Sequence, residues 1–288
     1  MSYTLQEIVG RGSFGITFKA LNAKKEVVAI KAIDIAASEK AGVPLNNIAQ
    51  EAQILMKLSD NGGCGTYVTC YYEGFIANYL GRPHAILVSE FIDGPSLRQF
   101  MQQGVKVPSV MWPIMTQLIL GLRYIHSRQF AHRDIKPENI LITNNNTIKY
   151  IDFGISCIQK CSRSMCVDNC KAGPGTVIYA PPELLNNTVE NTFESAKSGD
   201  VWSLSIVLFE LANGSGIYPF ITQENGKILA ESRIRRNIIN APQLRSNYQL
   251  DKNQTNNFLD VIIINNWRSR PTIKVALNLF IEIVIASI

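Results

Sequence analysis

The sequence predicts an α+β chain in two lobes, strands first and helices after. Three observations carry this. Short β-branched runs separated by Gly, Asn and Lys turns fill the first third. One isolated helical period lies among them at Pro44–Leu58, where Ile48, Ala52, Leu55 and Leu58 recur on one face behind a proline. Beyond Phe91 the apolar spacing becomes mainly helical.

In chain order, strands are expected over Tyr3–Gly10, Gly15–Leu21 and Glu26–Ile35, then the helix Pro44–Leu58, then strands over Tyr67–Ala77 and Ala85–Phe91. Glu39, ahead of Pro44, is expected in a loop. Val110, Ile114, Leu118, Leu122 and Ile125 mark one face of a long helix. Val201–Leu211 is apolar nearly all round, as a fully buried helix would be. No internal repeat and no long linker interrupts the pattern.

Composition excludes several classes. With 288 residues, 46% hydrophobic and 18% charged, the chain is no disordered tail, collagen or disulfide mini-protein. The net charge of +5 is modest, and its densest basic run, Arg233, Arg235 and Arg236, sits among isoleucines as one helix face, so nucleic-acid binding is not supported. The longest apolar stretches, Val201–Leu211 and Leu279–Ile288, fall short of the roughly 20 residues of a membrane span, and each carries a glutamate, Glu210 or Glu282. Residues 1–10 show no basic-then-apolar leader. Six cysteines make no disulfide framework at this length and imply a reducing compartment, so an intracellular location, cytoplasmic or nuclear, is expected.

Gly10-Arg-Gly12-Ser13-Phe14-Gly15 is a G-x-G-x-x-G sequence, weak by itself. A dinucleotide fingerprint must open a helix, and here a strand-like run follows. No Lys follows Gly15, so a Walker loop fails too. What remains is a glycine-tipped hairpin whose backbone N–H groups can approach phosphates closely, or one that is simply flexible.

Further motifs resolve that choice. Val28-Ala29-Ile30-Lys31 places a lysine on an apolar strand, where a desolvated ammonium needs a charged partner; Glu51 on the following helix and Glu39 ahead of Pro44 are the candidates, and Glu51 is the expected one. His132-Arg-Asp-Ile-Lys-Pro-Glu-Asn139 and Asp152-Phe-Gly154 follow. With the glycine hairpin these motifs resemble the protein kinase family, in its serine/threonine form, over nearly all 288 residues. The resemblance implies a two-lobed protein kinase fold over 1–288. Residues 1–91 would form an antiparallel-sheet lobe with one regulatory helix, and 92–288 a mainly helical lobe.

The roles it implies follow residue by residue. Asp134 would be the catalytic base and Lys136 would neutralise the transferring phosphoryl. Lys31, held by Glu51, would pair with the ATP phosphates, and Asn139 and Asp152 would hold Mg²⁺. Gly10, Gly12, Ser13, Phe14 and Gly15 would cover the phosphates. Ala29, Glu90, Ile92 and Leu141 would surround the adenine, with Glu90-Phe-Ile-Asp-Gly as the hinge and Ser89 before it as a small gatekeeper. The implied partners are ATP and protein substrates; oligomeric state is left open.

Later segments agree. Gly175-Thr176 and Pro181-Pro-Glu183 resemble the end of an activation segment, Asp200-Val-Trp-Ser the start of the central helix, and Arg270-Pro-Thr the partner of Glu183. The departures are Thr17 for a usual Val, Pro181 for Ala and Ser205 for Gly, all at supporting positions. A catalytically dead scaffold would lack residues such as Lys31, Asp134 or Asp152, and all are present; Lys136 and the Pro-Pro-Glu end argue against a small-molecule kinase. Thr176 is expected to order the catalytic loop. Glu138 could favour a basic residue upstream of the phosphosite, although Ser96 lacks the second acid that many relatives use. Cys157, Cys161, Cys166 and Cys170 lie after the Asp-Phe-Gly motif. They could bind Zn²⁺, form a redox pair, or be four small residues in a variable loop.

Overall fold

The computed structural model describes residues 2–12, 15–59, 64, 66–104, 108–161, 166–170, 175–187, 192–240 and 254–285. Five antiparallel strands, β1 (Thr4–Arg11), β2 (Gly15–Leu21), β3 (Val27–Asp34), β4 (Tyr71–Tyr79) and β5 (Arg82–Glu90), form one sheet in the order β1-β2-β3-β5-β4. Side chains alternate across a strand, and β3 uses both faces. Val28, Ile30 and Ala32 join Phe18, Ala20, Ile86 and Val88 in one apolar cluster. Lys31 and Ile33 therefore point the other way. There Ile33 packs with Ala85, Leu87 and Ile48, the last from helix α2 (Leu45–Ser59).

A short helix α1 (Ile35–Lys40) follows β3, capped by the Asp34 carboxylate, which accepts from the Ala37 N–H at 3.0 Å. Glu39 thus lies in a helix, exposed, rather than in a loop. Strand β4 starts later than the sequence suggests, because residues 67–70 run beside the other lobe: the Tyr150 N–H donates to the Tyr67 carbonyl at 2.8 Å and the Thr69 N–H to the Tyr150 carbonyl at 3.2 Å.

The second lobe is mainly helical: α3 (Leu97–Gln102), α4 (Pro108–Ser127), α5 (Pro182–Leu185), α6 (Phe193–Asn213), α7 (Glu231–Ile239), α8 (Gln254–Ile262) and α9 (Ile273–Ile285). Its short strands are β6 (Phe130–Ala131), β7 (Ile140–Ile142), β8 (Ile148–Tyr150), β9 (Cys157–Cys161), β10 (Cys166–Asn169), β11 (Gln223–Glu224) and β12 (Lys227–Ile228). Helix α6 begins in a reciprocal cap, Thr192 with Ser195, and is buried from Gly199 to Leu211. Its predicted all-round apolarity reflects that position at the centre of the lobe. Ser205, where the resemblance leads one to expect glycine, turns its hydroxyl back onto the Val201 carbonyl at 2.6 Å, so that hydroxyl is satisfied within the helix. In the basic cluster on α7, Arg233 pairs bidentately with Glu224 at 2.8 Å and Arg235 lies 3.7 Å from Glu231. No helix among the described residues is long and apolar enough to cross a membrane.

Candidate active site

Strand β3 and helix α2 bring Lys31 and Glu51 together because each lies on the face that meets the other element. The Lys31 Nζ donates to Glu51 Oε1 at 2.7 Å and to Asp152 Oδ1 at 2.9 Å. Glu51 is almost wholly buried, its side chain 4% exposed. Burial alone would lower the Lys31 pKa, but Glu51 and then Asp152 outweigh it and hold the ammonium above its ordinary value. Lys31 in turn is the main reason that the Asp152 carboxyl titrates at about 2.

Asp134 is held from several sides. Its Oδ2 accepts from Lys136 Nζ at 2.7 Å and Asn139 Nδ2 at 2.9 Å. Its Oδ1 accepts from the Thr176 N–H and hydroxyl, both at 3.2 Å. Lys136 also donates to Thr176 Oγ1 at 2.8 Å, so Thr176 orders the loop as its sequence context implies. Next to it, a β-carbon on Gly175 would lie 2.7 Å from Asp134 Oδ1 and 2.9 Å from the Arg133 carbonyl. Only glycine lets the chain pass so close to this carboxylate.

The loop is anchored from below by Asp200 of α6, which has no solvent exposure. Its carboxylate accepts from the backbone N–H groups of His132 and Arg133, each at 2.7 Å, and from His126 Nε2 at 2.9 Å. These bonds stabilise a loop in which Arg133 adopts φ +71°, a conformation costly for a side-chain-bearing residue. Asp152 is likewise left-handed, φ +62°. The His132 ring donates from Nε2 to the Ile151 carbonyl at 3.1 Å and packs 4.7 Å from the Phe153 ring, coupling the two motifs.

At the glycine hairpin, Gly10 faces Thr17 in register and the Gly12 N–H donates to the Gly15 carbonyl at 2.9 Å. A β-carbon on Gly15 would lie 2.7 Å from the Ala32 carbonyl. Ser13 and Phe14 lie outside the described residues. Ala29 faces Ser89 in β5, Leu141 bridges to Ser96, and Ile92 is buried between them in sequence. Glu90 does more than a hinge backbone requires. Its N–H donates to the Cys70 carbonyl at 2.9 Å, and its carboxylate accepts from Lys149 Nζ at 3.0 Å. The Glu90 N–H is therefore engaged within the fold.

Zinc at the cysteine cluster is not supported. Strand β10 turns back antiparallel along β9, and Cys157 and Cys170, with Cα atoms 4.8 Å apart, are joined in a disulfide. Cys161 faces Cys166 in register. Among the described residues no group of three or more His, Cys, Asp or Glu could hold a metal ion. Cys64 and Cys70 are also paired, so the cysteines are used differently from what their count implies. Glu183 and Arg270 form the expected buried pair, bidentate at 2.9 and 3.1 Å.

Sequence reasoning did not find His126, Lys149 or Arg98. His126 and Lys149 sit on otherwise apolar elements, and a polar residue in such a run is a weak signal without knowing what faces it.

The sequence matches the family described as Protein kinase domain over residues 3–280. The chain belongs to the protein kinase family. It is 30% identical over 214 residues to the serine/threonine-protein kinase KIC1 of Saccharomyces cerevisiae, covering 74% of this chain and 18% of that protein. It is 30% identical over 219 residues to the serine/threonine-protein kinase ppk11 of Schizosaccharomyces pombe, covering 74% and 64%. A probable cell division protein kinase of Encephalitozoon cuniculi is 29% identical over 224 residues, covering 77% and 76%. The chain thus spans less than two thirds of the length of both yeast kinases. Within this kinase fold the five-stranded sheet carries Lys31, and the helical lobe carries Asp134, Asn139 and Asp152.

Proposed function

We propose that this protein kinase transfers the γ-phosphoryl group of ATP to serine or threonine hydroxyls of proteins, with Asp134 as the base. One observation carries the reading: a single carboxylate, Asp134, is gripped by Lys136, Asn139 and Thr176 together. Such preorganisation suits phosphoryl transfer, whose catalysis is mostly positioning and charge neutralisation. Asp134 accepts the proton of the attacking hydroxyl as its oxygen bonds to the γ-phosphorus. The bond from that phosphorus to the β–γ bridging oxygen breaks, and ADP departs. Lys136, within reach of the same carboxylate, offsets charge on the transferred group. Lys31, kept cationic by Glu51, holds the ATP phosphates, and the Gly10–Gly15 hairpin covers them. The carbonyl of Glu90 and the backbone at Ile92 orient the adenine between Ala29 and Leu141.

The residues present fit Mg²⁺. Asp152 is an ionised, part-exposed carboxylate, and Asn139, whose amide nitrogen is engaged by Asp134, offers its oxygen; hard cations of this kind take oxygen ligands. When bound, Mg²⁺ neutralises negative charge on the phosphates.

The test is incorporation of label from γ-labelled ATP into a generic basic protein and into the chain itself, followed by phosphoamino-acid analysis. Phosphoserine or phosphothreonine is the expected product. Label confined to tyrosine, or no incorporation with ATP bound, would contradict the proposal.

A further inference from the structure

Beside the catalytic loop lies a cavity of about 690 Å³, lined among others by Arg98, Gln102, Glu138, Ser215 and Tyr218. Glu138 stands immediately before Asn139 in the loop that carries Asp134. Glu210, near the end of α6, lies behind it with no exposure of its side chain. Two carboxylates this near the phosphoacceptor base would attract a cationic side chain of a substrate.

That cation is already present. Arg98, on α3, donates from Nε to Glu138 Oε1 at 2.8 Å. Its Nη1 donates to Glu210 Oε1 and, at 3.2 Å, to Ser215 Oγ, while Nη2 donates to the Tyr179 hydroxyl. The Tyr179 hydroxyl passes on to Glu210 Oε2 at 2.8 Å, and the Gly216 N–H donates to Glu210 Oε1 at 2.6 Å. All three guanidinium nitrogens are engaged, and the Arg98 side chain is only 16% exposed, whereas Glu138 remains 47% exposed. A substrate arginine entering the cavity would meet a fixed guanidinium rather than a free acidic pair.

We propose that Arg98 is a specificity-determining residue: it fills the acidic subsite beside Asp134 in place of a substrate's basic side chain, so that this kinase does not select arginine or lysine there. The occupied site is a device of exclusion, since specificity can be built from repulsion of the wrong side chain as well as attraction of the right one. Removing the Arg98 side chain opens a subsite for a guanidinium. This inference rests on the proposed phosphotransfer to peptides, so its test has one arm that does not.

In the kinetic arm, kcat/KM is compared for peptide pairs carrying Arg or Ala at each position upstream of the phosphosite. Native protein is expected to show ratios near one, unchanged by Glu138→Gln, because Arg98 already pairs with that carboxylate. Arg98→Ala is expected to prefer arginine about tenfold at one position, and Arg98→Ala with Glu138→Gln to lose most of that preference. In the binding arm, agmatine, which carries a guanidinium on an aliphatic chain, is expected to raise the Tm of Arg98→Ala by about 2 °C or more and to leave native protein unaffected. Should Arg98→Ala not fold, because Glu210 is left charged and buried, Arg98→Ala with Glu210→Gln removes that charge and keeps Glu138 as the acid. The same directions are expected of it. A native preference for arginine that Glu138→Gln abolishes would overturn the inference. So would a folded Arg98 variant that agmatine does not stabilise. Stabilisation by agmatine without phosphorylation of any peptide would support the role of Arg98 and count against the proposed activity instead.

Discussion

The side-chain amide of Asn139 donates to both the carboxylate and the backbone carbonyl of Asp134, each at 2.9 Å. One residue therefore orients the base and, in the proposed mechanism, presents its remaining oxygen to Mg²⁺. Asn139→Ala should lower kcat by about 10²-fold, the order of loss that accompanies misplacement of a catalytic group. It should also raise the Mg²⁺ concentration needed for half-maximal rate. A Mg²⁺ titration of activity measures both, and an unchanged Mg²⁺ dependence would separate orientation from metal binding.

Gly175 touches the same carboxylate from the activation segment. Its replacement by alanine drives a methyl group toward Asp134 Oδ1 and the Arg133 carbonyl, at 2.7 and 2.9 Å. Gly175→Ala should lose about 10²-fold in kcat with little change in Tm, because the displaced atoms belong to the site rather than to the core. Steady-state kinetics beside thermal unfolding check this; a fall in Tm with kcat intact would contradict it.

Much of the architecture was legible in the sequence, for physical reasons. The Lys31–Glu51 pair follows from one charge on an apolar strand and one on the apolar face of the next helix, since neither can be buried alone. The helix and strand order follows from hydrophobic period, within a few residues. The larger shifts come from tertiary contacts: β4 begins at Tyr71 because Tyr67 and Thr69 are committed to Tyr150 of the other lobe. Cys157 meets Cys170 only because β9 and β10 fold back on one another, which spacing does not reveal. Asp200 accepts from the backbone of the catalytic loop at His132 and Arg133, and its third partner, His126, comes from a different element, helix α4. Arg98 was hidden for the same reason, as its partners lie on three other segments of the chain.

Arg270 and Glu183 form a buried bidentate pair, with the Arg270 side chain fully enclosed and its guanidinium 5.2 Å from the Trp202 ring. Removing one partner leaves an uncompensated buried charge. Arg270→Met should destabilise by about 3–5 kcal/mol, and the double variant with Glu183→Leu should recover a large part of that loss. Urea denaturation reads both. A single variant within about 0.5 kcal/mol of native would show that the pair is not needed for stability.

The Asp152 carboxyl, pulled down by Lys31 from its ordinary value of 3.8 to about 2, binds protons less readily in the folded than in the unfolded chain. Its contribution to stability is therefore complete above about pH 4 and is lost as the pH falls through about 2. Because the side chain is 45% exposed, solvent screening reduces this contribution to on the order of 1 kcal/mol. Native protein should lose more stability than Asp152→Asn between those two pH values. Parallel losses in the two proteins would place the acid sensitivity elsewhere.

The central claim is that Asp134 acts as the base while its neighbours hold substrate and charge. Asp134→Asn keeps the size of the side chain and removes its basicity. The decisive measurement is the single-turnover rate of phosphoryl transfer from labelled ATP to a peptide, with nucleotide affinity determined on the same samples. A rate lower by about 10²–10⁴-fold at unchanged ATP affinity is predicted. Transfer at a near-native rate in Asp134→Asn would contradict the account.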